Sequence, residues 1–239
     1  MKCLIVAAGQ GTRLREKGAL KPLIPIRDVA LIERVIANAR AGGADEFFVV
    51  TGYRSEELQA RLGEISTRTG TRITRIHNRA WDRANGISVL AAKQFLDEPF
   101  LLTMCDHLVD PEIFRALIAA PPVPDTVTLA VDFNITAPLN DPEDVTRVKC
   151  EGTRLKHIGK VIRDFNCFDT GVFLCTPLMF DALIESQARG DDSISGAMNV
   201  LAGWDKARVF DIGDKLWVDV DDPAAFAKAE NLLDAGKLR

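Results

Sequence analysis

The segment Leu4-Ile5-Val6-Ala7-Ala8-Gly9-Gln10-Gly11-Thr12-Arg13-Leu14, followed by Lys21-Pro22-Leu23, restricts the possible folds more than any other part of the chain. An apolar strand runs straight into a glycine-rich turn, and two cations follow. Glycines let backbone N–H groups approach phosphate oxygens with no Cβ in the way, and Arg13 and Lys21 supply charge, so the arrangement suits a polyphosphate. The turn lacks the Gly-Lys-Ser/Thr of a Walker P-loop. It also departs from the dinucleotide fingerprint, whose third glycine would stand where this chain has Leu14. The next apolar strand, Phe47-Phe48-Val49-Val50-Thr51-Gly52, carries no carboxylate at its end for a ribose.

Strand and helix alternate through the first half, with apolar strands near 3–8, 46–51, 72–77 and 100–104 and helical patterns near 30–42, 55–63, 86–96 and 111–120. That spacing predicts a parallel sheet covered on both faces, with ligands gathering at the carboxyl ends of its strands. The residues of interest are therefore Gly9 onward, Thr51-Gly52-Tyr53, His77-Asn78 and Cys105-Asp106-His107. After Pro121-Pro122-Val123-Pro124 the segments near 126–133, 144–150, 154–159 and 167–174 are short and β-rich, and Glu151-Gly152 reads as a hairpin turn. Helices near 177–188 and 193–203, a strand near 207–211 and a helix near 222–235 follow. The economical reading is a single α/β domain over 1–239, a Rossmann-like three-layer α/β/α fold with a mixed, mostly parallel central sheet.

A formal net charge of −4 lacks the basic excess of a general nucleic-acid binder, and no run approaches the length of a membrane span. The amino terminus starts a core strand at once, so neither a leader nor a transmembrane helix is expected. Cys3, Cys105, Cys150, Cys167 and Cys175 are odd in number, form no CxxC pair and lie mostly in apolar runs. They read as reduced core thiols of a cytoplasmic protein.

Phe100-Leu101-Leu102-Thr103-Met104-Cys105-Asp106-His107 reads as a buried strand that delivers Asp106 to the mouth of the sheet. A carboxylate there, beside a phosphate-binding loop, is a natural ligand for Mg²⁺. Near the end, Leu216-Trp217-Val218-Asp219-Val220-Asp221-Asp222-Pro223 presents three carboxylates in four residues. In a strand Asp219 and Asp221 share one face and can address one site, whereas Asp222 before Pro223 reads as a helix N-cap. His107 either contacts substrate or orients its neighbour. Zinc is not expected, because His77, His107 and His157 lack ligand spacing and the cysteines do not cluster. No serine sits in a Gly-x-Ser-x-Gly elbow, which disfavours a serine hydrolase.

Together with Asn85-Gly86-Ile87-Ser88-Val89-Leu90, Ile158-Gly159-Lys160 and Phe168-Asp169-Thr170-Gly171-Val172-Phe173, these segments resemble the sugar-phosphate nucleotidyltransferases of the glycosyltransferase-A-like fold. The resemblance covers nearly the whole chain and is closer to the CTP:inositol-1-phosphate cytidylyltransferases. It implies a nucleotide-binding half over 1–120 and an acceptor-binding half over 121–239. Carried over residue by residue, it implies that Ala7, Ala8 and Gly9 line the base and ribose and that Gly11, Thr12 and Arg13 line the triphosphate. Lys21 would touch the α-phosphate, and Asn85, Gly86 and Ser88 would read the pyrimidine edge. Asp106 with Asp219 or Asp221 would hold Mg²⁺. Lys160 would grip the acceptor phosphate, Asp169 would bind acceptor hydroxyls, and His107 belongs to the same acceptor side. The loop between Arg13 and Lys21 is short and lacks the Pro-Leu-Thr of many sugar enzymes. The bifunctional inositol enzymes continue into a membrane-embedded phosphotransferase domain that this sequence lacks, so its product would feed a separate one.

The implied reaction is Mg²⁺-dependent transfer of a cytidylyl group from CTP to inositol 1-phosphate, giving CDP-inositol and pyrophosphate. Asp169 suits a neutral polyol, yet a carboxylate also binds ammonium, which keeps phosphocholine and aminoethylphosphonate open as acceptors. One tyrosine and three tryptophans are few for the aromatic cage that choline needs. Another sugar-1-phosphate nucleotidyltransferase, or a nucleotide-sensing regulatory subunit, are the remaining alternatives. The combination of cations and candidate metal ligands disfavours the sensor.

Overall fold

Successive side chains of the first strand, β1 (Lys2–Ala7), are buried on opposite sides: Cys3 and Ile5 toward one set of helices, Leu4 and Val6 toward another. A strand of that kind requires cover on both faces. The computed structural model describes residues 1–120 and 123–238, so Pro121 and Pro122 of the expected mid-chain break, and Arg239, lie outside the described residues. A two-strand ribbon, β2 (Pro25–Ile26) and β3 (Val29–Ala30), precedes α1 (Leu31–Ala41). Then come β4 (Glu46–Thr51), α2 (Ser55–Thr69), β5 (Arg72–His77), α3 (Asn85–Leu90), β6 (Phe100–Met104), β7 (His107–Val109) and α4 (Pro111–Ala119). The second half contributes β8 (Val127–Asp132), β9 (Arg147–Glu151), β10 (Arg154–Gly159), β11 (Cys167–Cys175), α5 (Leu178–Ala188), α6 (Ile194–Gly203), β12 (Ala207–Asp211), β13 (Trp217–Asp219) and α7 (Pro223–Asp234).

Among the described residues nine strands form one sheet in the order β5-β4-β1-β6-β11-β8-β12-β10-β9, drawing on both halves of the chain. The pairs within β5-β4-β1-β6 are parallel, as is β8 with β12, while β11 runs antiparallel to both β6 and β8. Leu31 of α1, Leu58 of α2, Phe114 of α4 and Phe226 of α7 pack on one face. Val89 of α3, Phe180 of α5 and Met198 of α6 pack on the other. This is the expected Rossmann-like α/β/α architecture with a mixed central sheet.

Two helices differ from expectation. α2 continues to Thr69 because Leu58, Leu62 and Ile65 keep one face buried, and it stops at Gly70 with φ +67°. α3 ends at Leu90 and gives way to a 3-10 turn over Lys93–Phe95. The β9–β10 hairpin turns at Gly152, where φ is +56°. All five cysteines are buried and free. Among the described residues no helix is long and apolar enough to cross a membrane.

Candidate active site

The turn after β1 is shaped around a lysine. Gly11 has φ +60°, and a Cβ there would fall 2.4 Å from the Cβ of Lys21, so only glycine lets the two segments meet. Lys21 opens a 3-10 turn with Pro22 behind it and is almost wholly buried. Its Nζ donates to Asp106 Oδ2 at 2.7 Å and to Asp221 Oδ1 at 2.8 Å. Burial works against its charge, but the adjacent Asp106 and Asp221 prevail and hold the ammonium well above the ordinary lysine range. Arg13, more exposed, donates to Asp144 and to Asp221.

The acidic residues come from a small ribbon at the mouth of the sheet. β7 pairs antiparallel with β13, and the register sets His107 directly opposite Asp219. Val220 N–H donates to the carbonyl of Asp106 at 2.9 Å, which ties the residue before β7 to the same ribbon. Asn140, buried on the loop after β8, extends the ribbon with its side chain: Nδ2 donates to Trp217 O at 3.1 Å, and Oδ1 accepts from Asp219 N at 3.0 Å.

His107 is fixed from behind. Its Nδ1 lies 2.7 Å from Thr170 O, and since a carbonyl only accepts, Nδ1 carries the hydrogen. Nε2 therefore faces Asp106 Oδ1 at 3.7 Å and Asp219 Oδ1 at 3.6 Å. Burial favours the neutral imidazole, but Asp219 and Asp106 outweigh it and raise the pKa to about 10. Asp106 Oδ1 and Asp219 Oδ1 are themselves buried and find no hydrogen-bond partner among the described residues. One atom from each of Asp106, His107 and Asp219 lies within 4.8 Å of the others. Two orphaned hard oxygens fit a divalent cation, and a bound cation would take the place of the Nε2 proton that the same two carboxylates favour in its absence.

On the far side of His107, Asp169 sits where β11 bulges. Its Oδ1 accepts from Gly171 N at 2.7 Å. Burial raises its pKa to about 6, against the opposing pull of that hydrogen bond and of His107. Lys160, just past β10, reaches Asp144 Oδ1 at 3.3 Å. Burial works to raise the pKa of Asp144, but the Arg13 and Lys160 donors prevail and keep it below the usual carboxylate range.

These groups line a cleft with two lobes. One, about 330 Å³, is bounded by Gly9, Gly11, Lys21, Asp106 and Asp221. The other, about 120 Å³, is bounded by Asp144, Lys160, Asp169, Gly171 and Asp219. Asn85, Met104 and His107 line both lobes and mark where they join.

Residues 3–161 match the family model of the MobA-like NTP transferase domain. The chain belongs to the MobA-like NTP transferase family. Its curated relatives include a bifunctional IPC transferase and DIPP synthase from Rubrobacter xylanophilus, 36% identical over 234 residues and covering 96% of this chain and 51% of the relative. The protein of the same name from Archaeoglobus fulgidus is 28% identical, over 98% of this chain and 44% of that one. The chain thus spans about half the length of the curated relatives it matches. The solved inositol-1-phosphate CTP transferase from T. maritima aligns with a TM-score of 0.85 at 27% identity, over 98% of this chain and 94% of that one. A UDP-glucose pyrophosphorylase complexed with UDP-glucose shares the fold, with a TM-score of 0.80 at 20% identity and 98% coverage of each chain. The protein is therefore an enzyme of the nucleotidyltransferase class.

In this nucleotidyltransferase Gly9, Gly11, Lys21, Asn85 and Asp106 line the larger lobe, and His107, Lys160 and Asp169 the smaller. Arg13 reaches the cleft through Asp144 and Asp221, with Thr12 exposed beside it. Other expected positions are set back. Ala7 and Ala8 are buried, and the Ala8 carbonyl accepts from Tyr53 N at 2.9 Å. Gly86 serves packing, since a Cβ would sit 2.3 Å from the carbonyl of Asp192. Ser88 is buried and accepts from Asn78 Nδ2 at 3.0 Å, so its hydroxyl braces α3 and does not reach the cleft. Gly52 packs beneath Trp81, and His77 Nδ1 meets Ser55 Oγ at 2.8 Å, which makes those strand ends supports as well. Asn85 Oδ1 accepts from Ile194 N at 2.9 Å, leaving the Nδ2 donor for a ligand.

Asp219 and Asp221 do not act as an interchangeable pair. The strand ends at Asp219, which faces His107, while Asp221 turns to Lys21 and Arg13 as their counter-ion. His107, expected to lack metal-ligand spacing, gains it through the β7–β13 register. Asp222 caps α7 as expected, accepting from Ala224 N and Ala225 N at 2.7 and 2.8 Å. Asn140 and Asp144 carried no signal, because an irregular loop has no periodicity that would aim them.

Gly171 offers a direct check on how His107 is held. It has φ +72°, and a Cβ there would lie 2.2 Å from His107 Nδ1. Gly171→Ala is expected to destabilise the fold by about 1–3 kcal/mol through the left-handed backbone and the displaced ring. Denaturant midpoints would read this, and an unchanged midpoint would contradict the packing described.

Proposed function

We propose that this nucleotidyltransferase carries a cytidylyl group from CTP to a phosphorylated alcohol, inositol 1-phosphate, releasing pyrophosphate. The observation that carries the reading is the pair of joined lobes around the Asp106–His107–Asp219 cluster with a cation in each, Lys21 in one and Lys160 in the other, and Arg13 paired to Asp221 and Asp144 on their walls. An oxygen of the acceptor phosphate forms the new bond to the α-phosphorus, and the bond to the β-phosphate oxygen breaks, its electron pair leaving with pyrophosphate. The acceptor is already a dianion near neutrality, with a second pKa of about 6, so no general base is needed. What the site must do is relieve repulsion between anions and hold them in line.

Lys21, buried and firmly charged, suits the α-phosphate, and Arg13 the departing β- and γ-phosphates. Lys160 suits the acceptor phosphate. Asp106 and Asp219, with Nε2 of His107, would hold Mg²⁺, which when bound withdraws charge from the phosphate oxygens. The Nδ2 donor of Asn85 matches the acceptors on a cytosine edge.

Pyrophosphate release from CTP with a panel of phosphorylated alcohols tests the reading. Turnover with inositol 1-phosphate is expected. Turnover only with phosphocholine, aminoethylphosphonate or a sugar 1-phosphate would overturn the acceptor assignment. CTP binding without turnover on any acceptor would make the protein a sensor.

Asp169 makes the acceptor side pH-dependent. Its carboxylate accepts hydroxyl hydrogen bonds once ionised, and its pKa is raised to about 6. Acceptor KM should therefore fall as the pH rises through that value. The acceptor's own ionisation acts in the same direction, so the wild-type slope below the midpoint should be steeper by one proton than that of Asp169→Asn. Parallel slopes would remove Asp169 from acceptor binding.

A further inference from the structure

The cations assigned to the two substrates share one counter-ion. Asp144 Oδ2 accepts from Arg13 Nη1 and Asp144 Oδ1 from Lys160 Nζ, the latter at 3.3 Å. Arg13 comes from the turn after β1 and Lys160 from the end of β10, so a single carboxylate ties the nucleotide side to the acceptor side. Its backbone is fixed: Asp144 N and Val145 N both donate to Asp141 O at 3.1 Å, Glu143 N donates to Asp141 Oδ1 at 2.9 Å, and the neighbouring Asn140 is fastened to β13. Movement is thus left to the side chain. The ion pairs it makes are partly exposed to solvent, and pairs of that kind are weak enough for a phosphate to displace.

We propose that Asp144 occupies the place of phosphate at both Arg13 and Lys160, and that its displacement by one substrate prepares the site for the other. The proposal rests on the assignment of the larger lobe to nucleotide and the smaller to acceptor phosphate. A triphosphate at Arg13 and a phosphate monoester at Lys160 each repel the same carboxylate. Because each oxygen of Asp144 holds one cation, turning the group away from either anion breaks both contacts. The first substrate to bind does the work of moving Asp144, and the second meets a cation already released from that carboxylate, Arg13 keeping its contact to Asp221 in either order. The two affinities are therefore coupled positively and reciprocally. Before substrate arrives Asp144 is ionised, since Arg13 and Lys160 outweigh its burial and hold its pKa below the usual carboxylate range. It is a positioning residue: it sets when Arg13 and Lys160 become available.

Isothermal titration of wild type and Asp144→Asn in Mg²⁺, with the non-cleavable α,β-methylene analogue of CTP and with inositol 1-phosphate, tests this. The variant should bind the nucleotide analogue alone about tenfold more tightly than wild type, as typical coupling strengths allow. In wild type, saturating inositol 1-phosphate should tighten nucleotide binding by a factor that shrinks several-fold in the variant. Direct repulsion between the two substrates is common to both proteins and cancels in that comparison. Asp144→Ala should move both readings in the same direction, and a fold damaged by substitution would lose affinity, not gain it. Unchanged or weaker nucleotide binding by the variants, or an equal coupling factor, would overturn the proposal. Nucleotide binding by both proteins with no inositol 1-phosphate binding by either would fault the acceptor assignment instead, and the nucleotide comparison would still decide for or against Asp144.

Discussion

Lys21→Met is expected to lower kcat by about 10²- to 10³-fold, the usual consequence of removing a preorganised charge from a transition state. Methionine keeps the unbranched stem that packs over Gly11 and removes only the ammonium, so the loss would belong to charge and not to packing. The substitution should also weaken the fold. Asp106 and Asp221 would lose a donor each at 2.7 and 2.8 Å in a largely dry setting. Breaking a fully buried pair costs about 3–5 kcal/mol, and partial exposure of the two carboxylates brings the expectation to about 1–3 kcal/mol. The pH dependence has a definite sign. Burial would raise the pKa of Asp106, but Lys21 leads the groups that lower it below the ordinary value. That stabilisation is present above the ordinary carboxyl range and is lost as the pH falls through the folded-state pKa. The gap in stability between wild type and Lys21→Met should therefore narrow on acidification. Wild-type turnover in the variant would remove Lys21 from catalysis.

Asp219→Asn and Asp221→Asn are expected to part company. Asp219 presents a buried, unpartnered oxygen beside His107, whereas Asp221 is already engaged by Lys21 and Arg13. Losing a first-sphere carboxylate should weaken Mg²⁺ or Mn²⁺ binding by about 10²-fold or more, since even outer-sphere changes weaken such sites by about 10- to 100-fold. Asp221→Asn should leave the affinity for the ion within a few-fold of wild type and act on nucleotide KM through its two cations. Titration with Mn²⁺ followed by electron paramagnetic resonance reads ion binding without turnover. The reverse ranking of the two variants would contradict the division of roles.

How much could be read from the chain depended on whether the cause was local. β1, β4 and β6 declared themselves because apolar runs bounded by turns need no knowledge of the partner strand, whereas β5, with Ile73 and Ile76 among Arg72, Arg75 and His77, showed mainly in its spacing after α2. That the Gly9–Gly11 turn, Lys21 and Asp106 would meet in one cleft was legible too, because the segments that follow parallel strands gather along one edge of the sheet. The separation of Asp219 from Asp221 was not, because strand alternation ceases to apply once β13 ends at Asp219. Gly86 and Ser88 looked like ligand-facing residues at a helix start, but their surroundings are the Asp192 carbonyl and Asn78, fixed only when α3 meets its neighbours. His107 likewise joins the carboxylates through a cross-strand register, and its ring fits only because Gly171, far along the chain, has no Cβ.

The origin of the bridging oxygen in the product tests the central claim most directly. Inositol 1-phosphate carrying heavy oxygen in its phosphate would be incubated with CTP and Mg²⁺, and the products followed by phosphorus NMR. Attack of the acceptor phosphate on the α-phosphorus predicts label in the oxygen that joins the two phosphates of CDP-inositol and none in pyrophosphate. Label in pyrophosphate, or CTP consumed with no labelled bridge, would contradict the account.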